Sequence, residues 1–163
     1  KDSDVILELV KMADVPYKAR YKNTTIDPPG TIVYVRSKGV EILKPKQTFF
    51  SIVRESGLSR RDRRACCRIL KEYRTDIDAV VTGVRKEESK RRKMLYNEPV
   101  MCRIGGVEIL PLLEWTQADL ESFIKMRGLE IHPLYKEGEG YDLSSRLGCL
   151  ACPLKDYKSR MLD

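Results

Sequence analysis

Four of the chain's five cysteines fall in two tight pairs: Cys66 beside Cys67, and Cys149 with Cys152 in a Cys-x-x-Cys spacing. If both pairs serve one site, the fold must carry a mid-chain segment onto one near the end, which few topologies allow. The adjacent pair also narrows the chemistry. Two neighbouring residues cannot easily turn both sulfurs onto one small zinc ion, whereas in a multi-iron cluster each thiolate can hold a separate iron. An iron-sulfur cluster, 4Fe-4S, is therefore the expected occupant of Cys66, Cys67, Cys149 and Cys152, with zinc as the alternative. A buried, apolar role competes for the adjacent pair taken alone, because free cysteine is among the most buried residue types. The second pair, between Gly148 and Pro153, shifts the balance toward metal. Cys102 has no partner at ligand spacing and reads as a packing residue.

Metal or redox use of cysteine presupposes a reducing compartment. The longest apolar runs, such as Val5 to Leu7 and Ile109 to Leu113, fall far short of the roughly 20 residues of a membrane span, and no signal peptide precedes them. The expectation is a soluble, cytoplasmic protein with no membrane partner. With 163 residues, 42% of them hydrophobic, one α/β domain over 1–163 is expected. A formal charge of +7 favours an anionic partner: a nucleotide, a sulfate or a nucleic acid.

Periodicity places most elements. Val5, Ile6, Leu9, Val10 and Ala13 fit one face of a helix that starts at the chain's first residues. Such a helix normally follows a strand and loop, so an upstream segment is expected to be missing. A strand is predicted at 17–21, a second at 31–35 on β-branched propensity, and a third at 40–43. Short helices are predicted at 48–55 and, carrying the cysteine pair, at 60–71. Ala79 to Thr82 reads as a buried parallel strand running into Gly83. A helix starting at Thr116, with Asp119 completing a capping box, buries Leu120, Phe123 and Ile124 and stops near Gly128. The remainder reads as loop. Alternating strands and helices point to a mostly parallel, doubly wound sheet.

Directly beyond the Ala79 strand stand Gly83, Arg85, Glu88, Ser89 and Arg92, within a basic run that includes Lys86, Lys90, Arg91 and Lys93. Open α/β sheets bind ligands at this end of a strand, and an arginine fork suits a sulfate or phosphate. The bland alternative is a solvated helix face on which Glu87 and Glu88 pair with Arg91 and Arg92. Lys1, Asp2 and Ser3 at a helix start could likewise greet an anion or simply cap the helix. The lone His132, beside Pro133, reads as a surface or structural residue.

In order and spacing these pieces resemble the phosphoadenosine and adenosine phosphosulfate (PAPS and APS) reductase family, of the adenine nucleotide alpha-hydrolase-like (PP-loop) superfamily. The resemblance covers most of the chain. Lys1, Asp2, Ser3 look like the second half of the family's Ser-Gly-Gly-Lys-Asp-Ser phosphate loop, without its first half and the strand before it. The segment from Asn23 to Pro29 is similar to one in phage and bacterial members. Arg64, Ala65, Cys66, Cys67 and Lys71 resemble the cluster motif of the APS reductases, which the distant Cys-x-x-Cys completes. Gly83, Val84, Arg85, Glu88, Ser89 and Arg92 match a Gly-x-Arg-x-x-Glu-Ser-x-x-Arg pattern. Pro111, Leu112, Trp115, Thr116 and Asp119, then His132 to Tyr135 and Gly148, follow in family order.

The resemblance implies a Rossmann-like fold lacking its first strand, a helix in place of the strand at 31–35, and reduction of APS or PAPS to sulfite. It implies that Lys1, Asp2, Ser3, Gly83, Arg85, Glu88, Ser89 and Arg92 hold the nucleotide's anionic groups. It also implies that Arg85 and Arg92 steady the sulfonate while Lys71 links its charge to the cluster. A thioredoxin-like electron donor follows for a reductase. The family's tail cysteine, the attacking nucleophile, has no counterpart after Pro153. Two alternatives stay open: an ATP pyrophosphatase of the DNA phosphorothioation sulfurtransferase type, whose nucleic-acid substrate would suit the clustered Arg60, Arg61, Arg63 and Arg64, and a non-catalytic metal-stapled module that holds nucleic acid on a basic surface.

Overall fold

A computed structural model describes residues 1–73, 78–103, 106–136, 141–150, 152–155 and 161. In chain order its regular elements are α1 (Asp2–Met12), β1 (Arg20–Lys22), α2 (Thr31–Ser37), β2 (Glu41–Leu43), α3 (Phe49–Ser56), α4 (Ala65–Leu70), β3 (Ala79–Val81), α5 (Lys90–Leu95), β4 (Val100–Arg103), β5 (Gly106–Ile109) and α6 (Gln117–Arg127). Single 3₁₀ turns occupy Lys86–Glu88 and Pro133–Tyr135. They build two compact units, Lys1–Tyr17 with Thr75–Ile131 and Lys18–Arg74 with His132–Asp163.

In the first unit β3 pairs with β5 in parallel, Val80 opposite Glu108, and β5 pairs with β4 antiparallel, Cys102 opposite Val107. The core joins Val5 and Ile6 of α1, Leu120 and Ile124 of α6, and Leu110, Leu112 and Leu113 from the segment after β5. Acidic Asp2 and Asp4 in the first turn of α1 and Lys11 in its last complement the helix dipole. In α6 the expected capping box forms, with the Thr116 hydroxyl accepting from the Asp119 amide and Gly128 closing the far end in a left-handed conformation. Phe123 lies half-buried, edge-on to Trp115.

The second unit holds the parallel pair β1–β2, with Arg20 opposite Glu41, and buries Val35, Ile52, Leu70, Tyr135 and Tyr141. Its elements revise three expectations. The segment predicted as strand at 31–35 is the helix α2, as the family resemblance implied. Gly30 takes φ 77°, which lets the chain turn out of the Pro28-Pro29 pair, and Tyr34 N–H donates to the Gly30 carbonyl. Burial of Thr31 and Val35, one helical turn apart, outweighs the few tenths of a kcal/mol per residue that β-branching costs in a helix. The helix predicted at 60–71 shrinks to α4, because Arg60 and Arg63 close a tight turn on each other's backbone. The strand predicted at 17–21 forms later, at Arg20–Lys22.

The sequence reading also missed the β4–β5 antiparallel pair. Cys102, expected to be a packing residue, is exposed on β4 at the edge of the sheet, since alternate strand residues face opposite sides. His132 is buried, not on the surface. Its Nδ1 accepts from the Leu134 amide, so the hydrogen of a neutral ring sits on Nε2, 3.2 Å from the Thr31 hydroxyl. The loop-like end expected beyond Gly128 falls partly outside the described residues, at 137–140, 151, 156–160, 162 and 163. Among the described residues no helix is long and apolar enough to cross a membrane.

Candidate functional site

The second unit brings all four paired cysteines into one neighbourhood. Cys66 and Cys67 occupy the first turn of α4, half-buried, where the Ser59 hydroxyl donates to Cys66 Sγ at 3.0 Å. The loop bearing Cys149 and Cys152 is tied to the Asn23–Pro29 segment. Leu150 N–H donates to the Ile26 carbonyl at 2.9 Å, and Cys149 Sγ lies 3.4 Å from the Thr24 hydroxyl. Arg61 Nε donates to the Pro153 carbonyl at 3.2 Å, tying the basic turn before α4 to the same loop.

Asp27 organises the floor of this neighbourhood. Its two carboxylate oxygens accept from Thr24 N–H at 2.9 Å and from the Thr24 hydroxyl at 2.7 Å. Burial, then the Asp27 charge and hydrogen bond, and then Cys149 push the Tyr21 hydroxyl far above its usual range. Lys22 Nζ donates to the Lys71 and Tyr73 carbonyls at 2.9 and 2.6 Å, fastening the C-terminal end of α4 to β1. Burial holds the Lys22 ammonium below its ordinary value.

Cys67 and Lys71 act on one another's charge. Burial, the charge of and hydrogen bond with Cys66, and the charge of Cys152 push the Cys67 thiol up to about 11, against an opposing pull from Lys71. For Lys71 burial acts downward, but Cys149, Asp27 and Cys67 outweigh it and the ammonium stays charged above its ordinary range. Lys71 nevertheless leaves much of its surface in solvent. Among the described residues no three metal-donor side chains converge on one point. Thiolates on a single zinc, about 2.3 Å from the metal, would have to do so. A multi-iron cluster asks only that each thiol reach its own iron, and two cysteine pairs gathered about the Lys71 ammonium are compatible with that demand.

The first unit assembles the predicted anion-binding residues around the end of β3. Thr82 extends the strand by donating to the Ile109 carbonyl at 3.0 Å. A Cβ on Gly83 would stand 3.1 Å from Asp2 Cβ, so a larger residue would require the start of α1 to give way by a few tenths of an ångström. Arg85 is 3% exposed. Its Nε donates to Asp2 at 2.8 Å, one terminal nitrogen to Glu87 at 3.2 Å and the other to Gln117 at 2.9 Å. Glu88 accepts from the Arg85 amide and pairs with Arg92, one helical turn on. Ser89 caps α5 through the Arg92 amide at 3.1 Å. Lys1 Nζ reaches Gln117 at 3.3 Å, and Ser3 is exposed. Glu87 and Gln117, absent from the motif, are the partners that sequence reasoning missed. Thr24 and Asp27 are their counterparts in the second unit.

Parallel strand pairs, flanking helices and a glycine-arginine loop beyond a strand end define an open-sheet α/β protein, not a closed barrel. The family described as phosphoadenosine phosphosulfate reductase domain matches residues 1–155. The chain belongs to this family. It is 30% identical over 138 residues to an adenosine 5'-phosphosulfate reductase of Streptomyces coelicolor, covering 78% of this chain and 55% of that protein. To a phosphoadenosine 5'-phosphosulfate reductase of Vibrio parahaemolyticus it is 36% identical over 72 residues, covering 44% of this chain and 26% of that one. The chain thus spans only part of these relatives' length. The crystal structure of a phosphoadenylyl-sulfate reductase from Candida auris, in complex with phosphate, superposes with a TM-score of 0.65. It shares 20% identity, over 91% of this chain and 76% of that one, and carries the fold alone.

Proposed function

We propose that this chain is the nucleotide-handling part of a sulfonucleotide reductase acting on adenosine 5'-phosphosulfate, with Cys66, Cys67, Cys149 and Cys152 as ligands of a 4Fe-4S cluster. The observation that carries this reading is the gathering of two distant cysteine pairs around Lys71 within one unit. The broader of the two named relatives' matches, over 78% of the chain, is to a reductase of that same substrate. When bound, the cluster supplies an electrostatic and structural anchor rather than a nucleophile.

The chain's own residues then divide the work. Lys71 keeps a protonated ammonium beside Cys149 and Cys67, a fixed positive charge for developing negative charge on a sulfonate. Gly83 lets the β3 loop lie against α1, and Arg92, its side chain 24% exposed beside Glu88, offers a cation on that loop. The attacking thiolate comes from outside the quartet. It forms a bond to sulfur as the sulfur–oxygen bond to adenosine monophosphate breaks, giving a thiosulfonate. A second thiol, from a thioredoxin-like donor, takes the sulfenyl sulfur into a disulfide and releases sulfite.

The test is anaerobic incubation of the full-length protein with APS, PAPS or ATP, in the presence of thioredoxin and dithiothreitol. Sulfite and adenosine monophosphate formed from APS, about tenfold faster than sulfite from PAPS, is the expected result. Pyrophosphate released from ATP without sulfite from either sulfonucleotide would overturn the reading.

A further inference from the structure

We infer that Arg85 shapes the anion loop from within instead of gripping the anion, and that Glu87 and Gln117 are positioning residues acting through it. The inference deepens the proposed sulfonucleotide site and rests on that reading.

Three nitrogens of Arg85 each donate to a different side chain: Asp2 in the first turn of α1, Glu87 in the 3₁₀ turn and Gln117 at the start of α6. The group lies almost wholly out of solvent. Its acceptors are themselves tied together. Glu87 Oε2, which takes the Arg85 bond, also accepts the Gln117 amide at 2.5 Å, and Gln117 Oε1 accepts from Lys1 as well as from Arg85. Gln117 Nε2 donates to Glu121 one turn along α6, which fixes its amide orientation. Charge is matched inside the knot, with Arg85 and Lys1 set against Asp2 and Glu87.

A sulfonate or phosphate taken up by this guanidinium would have to displace Asp2, Glu87 or Gln117, and so give up one of three bonds already made to a buried cation. Little is gained, because one charge-assisted bond is exchanged for another. The knot instead holds three backbone segments at fixed spacing: the start of α1, the turn after β3 and the start of α6. Lys86 N–H adds a backbone bond to the Leu113 carbonyl at 2.9 Å, close to the same point. Arg92, paired through Glu88 to the Arg85 amide, inherits its place from the knot. The family resemblance implied the same task for both arginines; the geometry gives them different ones.

The experiment compares Glu87→Gln, Gln117→Ala, Arg85→Lys and the Arg85→Lys/Glu87→Gln double variant in the full-length protein, each checked for an unchanged melting temperature. Two readouts are taken. With APS as substrate, the clasp predicts that Glu87→Gln and Gln117→Ala raise KM about tenfold in the same direction as Arg85→Lys, the order of one lost hydrogen bond to a charged group. It predicts that the double variant is no worse than the worse single one. An arginine that binds the anion directly gives the opposite pattern: KM rises in Arg85→Lys and stays level or falls in the other two, which release the guanidinium. The second readout is hydrogen exchange of amides 82–89 without nucleotide. Faster exchange in Glu87→Gln and Gln117→Ala supports the clasp, and unchanged exchange in both overturns it. If no variant and no wild-type protein turns over APS, the proposed function fails while the exchange data still judge the clasp.

Discussion

The anion loop of the first unit and the thiol neighbourhood of the second are both built on charge, but they reach balance differently. Arg85 meets two carboxylates and an amide supplied by the chain, and Glu88 meets Arg92, so both motif arginines of the loop have acceptors of the chain's own. In the thiol neighbourhood burial, Cys66 and Cys152 oppose the ionisation of Cys67, with Lys71 as the cation set against them. The first region is organised by its own side chains; the second is the one that the proposed cluster would complete. Preorganisation of the first kind should survive removal of any ligand. The second kind should not.

The sharpest way to break that contrast is to take away one thiol. In Cys149→Ala, prepared anaerobically, we expect near-complete loss of iron and of the absorbance near 400 nm typical of thiolate-bound clusters. Hydrogen exchange across β3 to α5 should stay unchanged. Iron retained at wild-type level would remove the cluster and the contrast with it. Next in size is Asp27→Asn. Asp27 accepts two bonds from Thr24, and its charge bears on Tyr21 and Lys71. Its loss should cost about 2 kcal/mol in urea unfolding, in the range for hydrogen bonds to a charged group. Iron content should fall with it, because the Asn23–Pro29 segment holds the Cys149 loop through Ile26 and Thr24. A destabilised variant with full iron would show that the floor and the thiols are independent. For the first region, Gly83→Ala sets a Cβ 3.1 Å from Asp2 Cβ. About 1–2 kcal/mol of destabilisation should appear as a lower urea midpoint, with iron content untouched.

How much of this was written in the chain depends on where each partner lies. Helices α1 and α6 were legible because their signals are local: apolar spacing from Val5, and Thr116 with Asp119 three residues on. Cysteine spacing pointed to a shared site because metal ligands carry their own geometry. The helix at Thr31 defeated propensity, since what decides it is burial of Thr31 and Val35 together with the turn at Gly30, and β-branching reports neither. For β4 and β5 a signal was present but passed over: Gly105 and Gly106 stand between two apolar runs, as in a hairpin. The role of Gln117 could not be read, because Arg85 and Lys1 lie far away in sequence; Asp27 bonds to Thr24 only three residues back, but its bearing on Lys71 is something that only the fold creates. For His132 the sequence left a surface and a structural role open, and only the fold, which sets it against Thr31 and Tyr34, selects the structural one.

The smallest expected effect tests the incompleteness of the thiol neighbourhood directly, through pH. Cys67 is raised from an ordinary value of 9.0 to about 11 in the folded protein, chiefly by burial and then by Cys66. Between those values the folded form keeps a proton that the unfolded chain has given up. The associated stability is therefore fully present below pH 9 and is lost as the pH rises through about 11. Lys71, also raised, contributes in the same direction. Half-buried groups are screened by solvent, so metal-free protein should lose only about a few degrees in melting temperature over this window beyond the background of other titrating groups. Cys67→Ser removes the thiol and should flatten that extra slope. Iron-loaded protein should lack it too, because ligation replaces the proton before the window is reached. Equal slopes in metal-free wild type and Cys67→Ser would mean that the thiols do not oppose one another, and the two regions would then differ in residue type without differing in how their charge is balanced.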